Sequence, residues 1–433
     1  MTVTGEQMPV AVVAQCDVAE GLGHISAPRP GIEALILVRV FSEPIGMLTE
    51  TLPAEGLAPP DLGAAIVREF APQLRERFEE SGLEWTGELP IDGVTPPRTP
   101  AFQLSREHVL REGPRMTVAI CTHDRPDTLE IALNSVCSQG YERLRILVVD
   151  NAPSDDRSRR VVSALADKAD IRYAVEPRPG LSWARNRAIE LADGDVIAWV
   201  DDDEFCDQWW AAEIARGFVE VPGADAVTGT VIPSELETAS QMFFERYGSV
   251  RRRRGFTRAV FSPETRHLQS PLFPAPPFGI GANMAFRRDA LDRIGGFDCA
   301  LGAGTVTKTA EDTAALSSLL LAGGTIVYQP TSIVYHRNRR ESGVLEALLR
   351  GHGRGLGAFY TSMLVRRPMC VGELLRLTPR ALRHKFAAKE QHVADQGTAF
   401  PRELVRANRI GLLEGPFAYA AARFHARRLR SLG

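Results

Sequence analysis

The fold is most legible at Val196-Ile197-Ala198-Trp199-Val200-Asp201-Asp202-Asp203-Glu204. Five apolar residues run without a break into a block of carboxylates. A continuous apolar run of this length reads as a strand buried on both faces, as in a parallel sheet. Acidic groups this dense repel one another and are costly beside a core. A hard divalent cation at the carboxyl end of the strand relieves both penalties. A cation so placed has a phosphate to hold, which points to an enzyme handling a nucleotide diphosphate. The competing reading is a solvated acidic loop.

The surroundings repeat one rhythm. Residues 116–121 read as a strand, 127–139 as a helix, 144–149 as a strand ending at Asp150-Asn151, and 171–175 as a third strand. A helix over 182–192 leads into the strand before the aspartates. This alternation predicts an α/β fold with a mostly parallel sheet flanked by helices. Right-handed crossovers then align Thr122, Asp150 and Asp201 to Asp203 along one edge, outside the strands' carboxyl ends.

Upstream, residues 1–30 read as irregular and loosely ordered. A strand is expected at 34–41, then a helix capped by Asp61, with Leu62, Ile66, Phe70, Leu74 and Phe78 every four residues and Gly82 as its stop. This small α/β module ends in a linker containing Pro90, Pro96, Pro97 and Pro100. Downstream, four arginines at 251–254 and the prolines Pro271, Pro274, Pro276 and Pro277 read as a mobile loop over the site, or equally as an exposed excursion. Beyond His336 the chain reads as helical and basic, with a glycine-rich joint at Gly351, Gly353, Gly355 and Gly357. The expected units are 1–110, 111–340 and 341–433.

At 433 residues the chain can hold more than one domain. It has no apolar run of membrane-span length and no basic-then-apolar leader pattern, so a cytoplasmic protein is expected. The six cysteines carry no CxxC spacing, which argues against zinc or a disulfide framework. The net charge of −3 is uneven: residues 333–433 hold 19 Lys and Arg against 7 Asp and Glu, leaving −15 on the rest. Such a tail suits anionic lipid at the inner membrane face or a phosphorylated acceptor. It reads equally as solvated helix faces. No nucleic-acid motif accompanies the charge, so no nucleic-acid partner is expected.

A series of motifs in a fixed order carries a family resemblance. Residues 118–126 (VAICTHDRP) resemble the opening strand and loop of family 2 glycosyltransferases, and Val148-Val149-Asp150-Asn151 their second-strand signature. Residues 180–188 (GLSWARNRA) resemble their G-x-x-x-A-R-N-x-G segment, with Ala188 in place of the usual glycine. Residues 200–203 resemble the DxD motif. Residues 281–288 (GANMAFRR), then Gly295-Gly296-Phe297-Asp298 and Glu311-Asp312, follow in the family's order. The resemblance spans roughly 116–340, about half the chain.

It implies a GT-A fold and inverting, metal-dependent transfer of a sugar from a UDP-, GDP- or dTDP-linked donor to an acceptor hydroxyl. Asp150 would then meet the base or ribose, while Thr122 and Arg125 suit the base and diphosphate. Asp201 is expected at the ribose and metal, Asp203 at the metal, and Asp202 beside the donor with less definition. Arg185, Gly281 and Asn283 would line the nucleotide sugar; a surface ion pair and ordinary strand turns are the competing readings. His336 would complete the ligands of Mn²⁺ or Mg²⁺, or merely hydrogen-bond a carbonyl. Asp312 is the implied general base, with Glu311 binding the acceptor or supporting the base. Both open a helix whose dipole should keep them ionised near neutral pH. Trp183, Trp209 and Trp210 read as sugar-stacking or core residues, and His123 stays unassigned.

Lacking a membrane-spanning pair and a Q-x-x-R-W sequence, the chain reads as a single-addition enzyme acting on a glycan, a lipid-linked intermediate or a secondary metabolite. Two rivals differ in class. A nucleotidyltransferase needs a glycine- and lysine-rich phosphate loop after the first strand, where Thr122-His123-Asp124-Arg125 stands instead. A non-catalytic nucleotide-sugar-binding relative is expected to have lost its base or metal motif, yet Asp203 and Asp312 are intact.

Overall fold

The computed structural model describes residues 10–248, 254–265, 270–273, 278–338, 345–377 and 402–431. Strands β1 (Ala11–Asp17), β2 (Glu33–Val40) and β3 (Glu43–Thr51) form a three-stranded sheet, β1 parallel and β3 antiparallel to the central β2. The expectation of an irregular stretch over 1–30 is thereby corrected at β1. That strand is only partly buried despite its short apolar run Ala11 to Ala14, and its partner β2 lies beyond a long connection. The β2–β3 turn is two residues long, with Phe41 (φ 55) and Ser42 (φ 73) both left-handed, as a tight hairpin of matching twist requires. Helix α1 (Pro59–Glu80) covers the sheet with Leu62, Ile66, Phe70, Leu74 and Phe78. It starts two residues before Asp61, because Pro59 and Pro60 are pre-set for a first helical turn. Helix α2 (Ala101–Glu112) follows the proline-rich linker.

From β4 (Met116–Thr122) the chain alternates as expected: α3 (Pro126–Cys137), β5 (Leu144–Asn151), α4 (Arg157–Leu165), β6 (Ile171–Glu176), α5 (Leu181–Leu191) and β7 (Val196–Asp201). Then come β8 (Glu204–Cys206), α6 (Trp210–Glu220), β9 (Ala226–Pro233), α7 (Ala239–Gly248), β10 (Ala259–Phe261), β11 (Asn283–Arg287), α8 (Arg288–Ile294), α9 (Glu311–Leu321) and β12 (Ile326–His336). Nine strands make one sheet in the order β10-β12-β9-β11-β7-β4-β5-β6, with β8 pairing to β12. Strands β4, β5, β6, β7, β9 and β12 run one way; β8, β10 and β11 oppose them. This is the mostly parallel α/β sheet that the sequence implied.

The apolar runs follow from burial on both sides. Val118 and Ile120 enter one core with Leu133, Trp210 and Phe218, while Ala119 and Cys121 face the other with Trp199, Leu291 and Leu316. Register aligns Thr122 with Asp150 and Cys121 with Asp201, so the strand ends share one edge.

Helices α10 (Leu345–Arg366) and α11 (Arg402–Arg430) complete the described chain. The glycines expected as a joint lie inside α10, where they let the two helices touch. A Cβ on Gly353 would sit 2.0 Å from the Asn408 carbonyl oxygen, and one on Gly411 2.0 Å from that of Arg350. Among the described residues no helix is long and apolar enough to cross a membrane. Of the expected mobile loop, Arg251 to Arg253 and Pro274, Pro276 and Pro277 lie outside the described residues, as do the connections at 339–344 and 378–401.

Candidate active site

Asp150 ends β5 with no exposed surface. One carboxylate oxygen accepts from the Tyr173 hydroxyl at 2.7 Å, while the other, Oδ1, is buried and has no partner. Burial pushes its pKa up. A buried carboxylate oxygen left without a donor is costly, so this edge is built to receive an N–H or O–H. Tyr173 was not foreseen, because nothing in the sequence of β6 distinguishes it from a strand aromatic. Beside it, Asn151 binds the loop ahead of α5: its Oδ1 accepts from Gly180 N at 2.8 Å, and its Nδ2 donates to the Arg178 carbonyl at 2.8 Å. His123 bonds the Asn151 carbonyl oxygen at 2.7 Å and so ties two edge loops together.

The three aspartates after β7 take different surroundings. Asp202 turns inward, 7% exposed, accepting from Thr122 Oγ1 at 2.8 Å and Arg125 Nη1 at 3.1 Å. Burial pushes its pKa up to about 6. The expected donor contacts of Thr122 and Asp202 are corrected here: Thr122 is 2% exposed and its hydroxyl proton is taken by Asp202. Arg125 also donates to Asp203 at 2.9 Å, clamping the loop rather than standing free. Asp203 Oδ1 lies 3.5 Å from His336 Nε2. Burial would raise Asp203, but His336 and then Arg125 hold it below the usual carboxylate value. Burial would lower His336, but Asp203 outweighs it and the imidazole is raised.

Glu204 was not foreseen as a site residue. It is 1% exposed, with Oε2 accepting from Asp201 N at 3.1 Å and Oε1 unpartnered. Among the described residues no group of three metal-binding side chains stands ready-formed. The residues do fit a divalent cation: Asp203 and His336 converge, Asp201 is adjacent, and the buried Glu204 oxygen lacks a partner. Arg125 supplies positive charge to these carboxylates in the structure.

Arg185, 1% exposed on α5, joins the two halves of the site. Its Nη1 donates to Glu311 Oε1 at 2.9 Å and its Nη2 to Asp201 Oδ1 at 3.2 Å. Burial alone would lower this guanidinium, yet Asp201 and Glu311 raise it. The reading of Arg185 as a surface ion pair is excluded by that burial. Glu311 and Asp312 open α9 after two left-handed residues, Lys308 (φ 72) and Ala310 (φ 82). The expectation that both carboxylates stay fully ionised fails for Glu311, whose pKa burial pushes up to about 7. Asp312 is partly exposed; its Oδ2 accepts from Gly281 N at 2.6 Å and its Oδ1 from Thr313 N at 2.6 Å. Gly281 is obligatory in this contact, since a Cβ there would lie 2.7 Å from the Asp312 Cβ.

Asn283 departs from its expected place beside the donor sugar. It has no exposed surface; Oδ1 accepts from Trp210 Nε1 at 3.0 Å, and Nδ2 donates to the Thr230 and Ser332 carbonyls. Every hydrogen-bonding group of its amide faces the core. The tryptophans do not offer stacking faces either. Trp210 is buried, Trp183 lies against the Arg178 guanidinium at 4.1 Å, and Trp209 against Arg106 at 4.5 Å.

Comparison with known proteins finds similarity over the central part of the chain. Residues 117–295 match the model for glycosyl transferase family 2. A glucosyl-dolichyl phosphate glucuronosyltransferase from Haloferax volcanii is 27% identical over 43% of this chain and 57% of its own length. The succinoglycan biosynthesis protein ExoM from Rhizobium meliloti is 28% identical over 50% of this chain and 65% of its own. The chain thus spans somewhat over half the length of these relatives. Among solved structures, a mannosyltransferase from Pyrobaculum calidifontis in complex with GDP-Man and Mn²⁺ has a TM-score of 0.46 at 19% identity, covering 72% of this chain and 87% of that one. Over residues 117–295, then, the chain is similar to glycosyl transferase family 2.

Proposed function

We propose that the chain catalyses inverting, metal-dependent transfer of one sugar from a nucleoside diphosphate sugar to an acceptor hydroxyl. The observation carrying this reading is the Arg185 bridge, which ties Glu311 at the acceptor end to Asp201 at the diphosphate end. Asp150 Oδ1, lacking a donor, would accept from the nucleotide base or ribose. Asp203, His336 and Asp201 would hold Mn²⁺ or Mg²⁺, which when bound would neutralise charge on the leaving diphosphate. Asp312 is oriented by Gly281 N and accepts the proton of the acceptor hydroxyl as its oxygen attacks the anomeric carbon. The new glycosidic bond forms as the carbon–phosphate-oxygen bond breaks, and the electron pair leaves with the nucleoside diphosphate. Glu311, held by Arg185, is oriented beside the base. The names of the relatives favour a lipid-linked acceptor over a free sugar.

A thermal-shift panel of UDP-, GDP-, dTDP- and CMP-sugars, each with and without Mn²⁺, tests the reading. At about 100 times its dissociation constant a ligand adds roughly 2.7 kcal/mol, a shift of several degrees. Stabilisation by one nucleotide class, dependent on metal and lost in Asp203→Ala, is the expected result. No response to any donor would overturn it.

A further inference from the structure

Helix α11 has a face that its packing leaves bare. Its buried residues Ala407, Gly411, Gly415, Tyr419, Ala422 and Ala426 mark the inward line. At about 100° per residue the opposite line runs through Leu413, Phe417, Ala420 and Phe424. Leu413 is 74% exposed, Phe417 79% and Phe424 66%, with Ile410 beside them at 38%. Large apolar side chains aligned over about four turns of one helix form a patch that a solvated surface rarely carries. Both ends of the same face are basic: Arg402, Arg406 and Arg409 precede the patch, and Arg427 and Arg428 follow it, all exposed. No acidic residue of α11 lies within about 60° of the outward line. Glu403 falls about 80° away and Glu414 about 100° away, and Glu414 is held by Arg350 and Arg354.

We propose that this face of α11 docks the protein on an anionic lipid surface. Leu413, Phe417 and Phe424 enter the headgroup boundary, and the flanking arginines pair with lipid phosphates. A second copy of the chain fits the face poorly, because parallel and antiparallel pairing of α11 with itself both set arginine clusters against each other. The neighbouring helix α10 rests on the loop leading to the proposed base: a Cβ on Gly355 would lie 2.2 Å from the Thr309 side chain, and one on Gly351 3.7 Å from Lys308. The helix pair that meets lipid therefore also walls the loop before Asp312, so a lipid-borne acceptor would reach the base along it. That corollary rests on the transfer reading; the docking itself does not.

The test is sedimentation of the full chain with vesicles of phosphatidylcholine alone and of phosphatidylcholine mixed with phosphatidylglycerol, at low and physiological salt. Binding to the anionic vesicles is expected, weakening with salt. The double variant Phe417→Ser/Phe424→Ser should lose about tenfold or more in partitioning, and each of Arg406→Gln and Arg427→Gln about fivefold at low salt. Absence of anionic-vesicle binding, or equal binding by the double variant, overturns the proposal. So does concentration-dependent self-association that disappears in the double variant without vesicle binding. Donor-induced thermal shifts run in parallel confirm that the variants are folded. If they fail in the wild type while vesicle binding holds, the transfer reading falls and the docking stands.

Discussion

Asp312 and Glu311 are neighbours in the chain, yet the fold gives them different surroundings. Glu311 points into the buried Arg185 bridge, where burial pushes its pKa up to about 7, whereas Asp312 stays partly exposed, oriented by the Gly281 amide. The accessible carboxylate is the one suited to take a proton from an acceptor. Asp312→Asn should therefore lower turnover by roughly 10²–10⁴-fold while leaving the donor-induced thermal shift intact. Turnover within a few-fold of wild type would remove Asp312 as the base. The sequence motifs placed Asp150 and Asp201 on one sheet edge, as the register shows, and the fold adds that Arg185 joins Asp201 to Glu311. They did not distinguish side chains turned to solvent from those turned inward, and Thr122, Asp202 and Asn283 prove to be held by partners inside the fold. All three sit at strand ends, where one peptide step turns a side chain from solvent to interior.

At the scale of elements, the two glycine-bearing helices show how packing reverses an intrinsic preference. Alanine in a helix interior is favoured over glycine by about 1 kcal/mol. Gly353 lies where an added Cβ would meet the Asn408 carbonyl at 2.0 Å, whereas Gly351 finds only ordinary contact at 3.7 Å. Gly353→Ala should destabilise by about 1–3 kcal/mol, and Gly351→Ala should be neutral or stabilising by up to about 1 kcal/mol. Denaturant unfolding of both variants checks the opposite signs. Strands β4, β5 and β7 were legible because each carries a continuous apolar run inside a repeated strand–helix alternation. Strand β1 was not, because half-exposed edge residues become a strand only through pairing with β2.

Across the whole molecule, the N-terminal sheet is fastened to the back of the nine-stranded sheet by buried charge. Arg106 on α2 donates to Glu213 on α6 at 2.9 Å, Arg216 joins the same carboxylate, and Glu220 accepts from Arg216 and Ser105. Arg39 on β2 binds Asp207, which with Tyr335 lies close behind β8 and the His336 end of β12. The module thus buttresses the strand end carrying the proposed metal ligand. Burial alone would raise Glu220, but Ser105 and Arg216 lower it to about 2; Glu213 is likewise lowered, Arg216 and Arg106 outweighing burial. A carboxylate depressed on folding contributes stability above its unfolded value of about 4.5 and loses it as pH falls through its folded value. The urea midpoint should therefore drop between pH of about 4.5 and 2, and Glu220→Gln should flatten that drop. An unchanged slope would mean that the interface charges do not couple to folding.

The α/β alternation, the common edge of Thr122, Asp150 and Asp201, and the resemblance to glycosyl transferase family 2 could all be read from the amino-acid order alone. These depend on local periodicity and on short motifs that the chain carries whole. Tertiary contacts alone set which carboxylate is buried, that Arg185 joins Asp201 to Glu311, that Asn283 braces the core and that the glycines of α10 join two helices. Each depends on groups from distant segments meeting at contact distance, where desolvation and packing outweigh what any local stretch prefers.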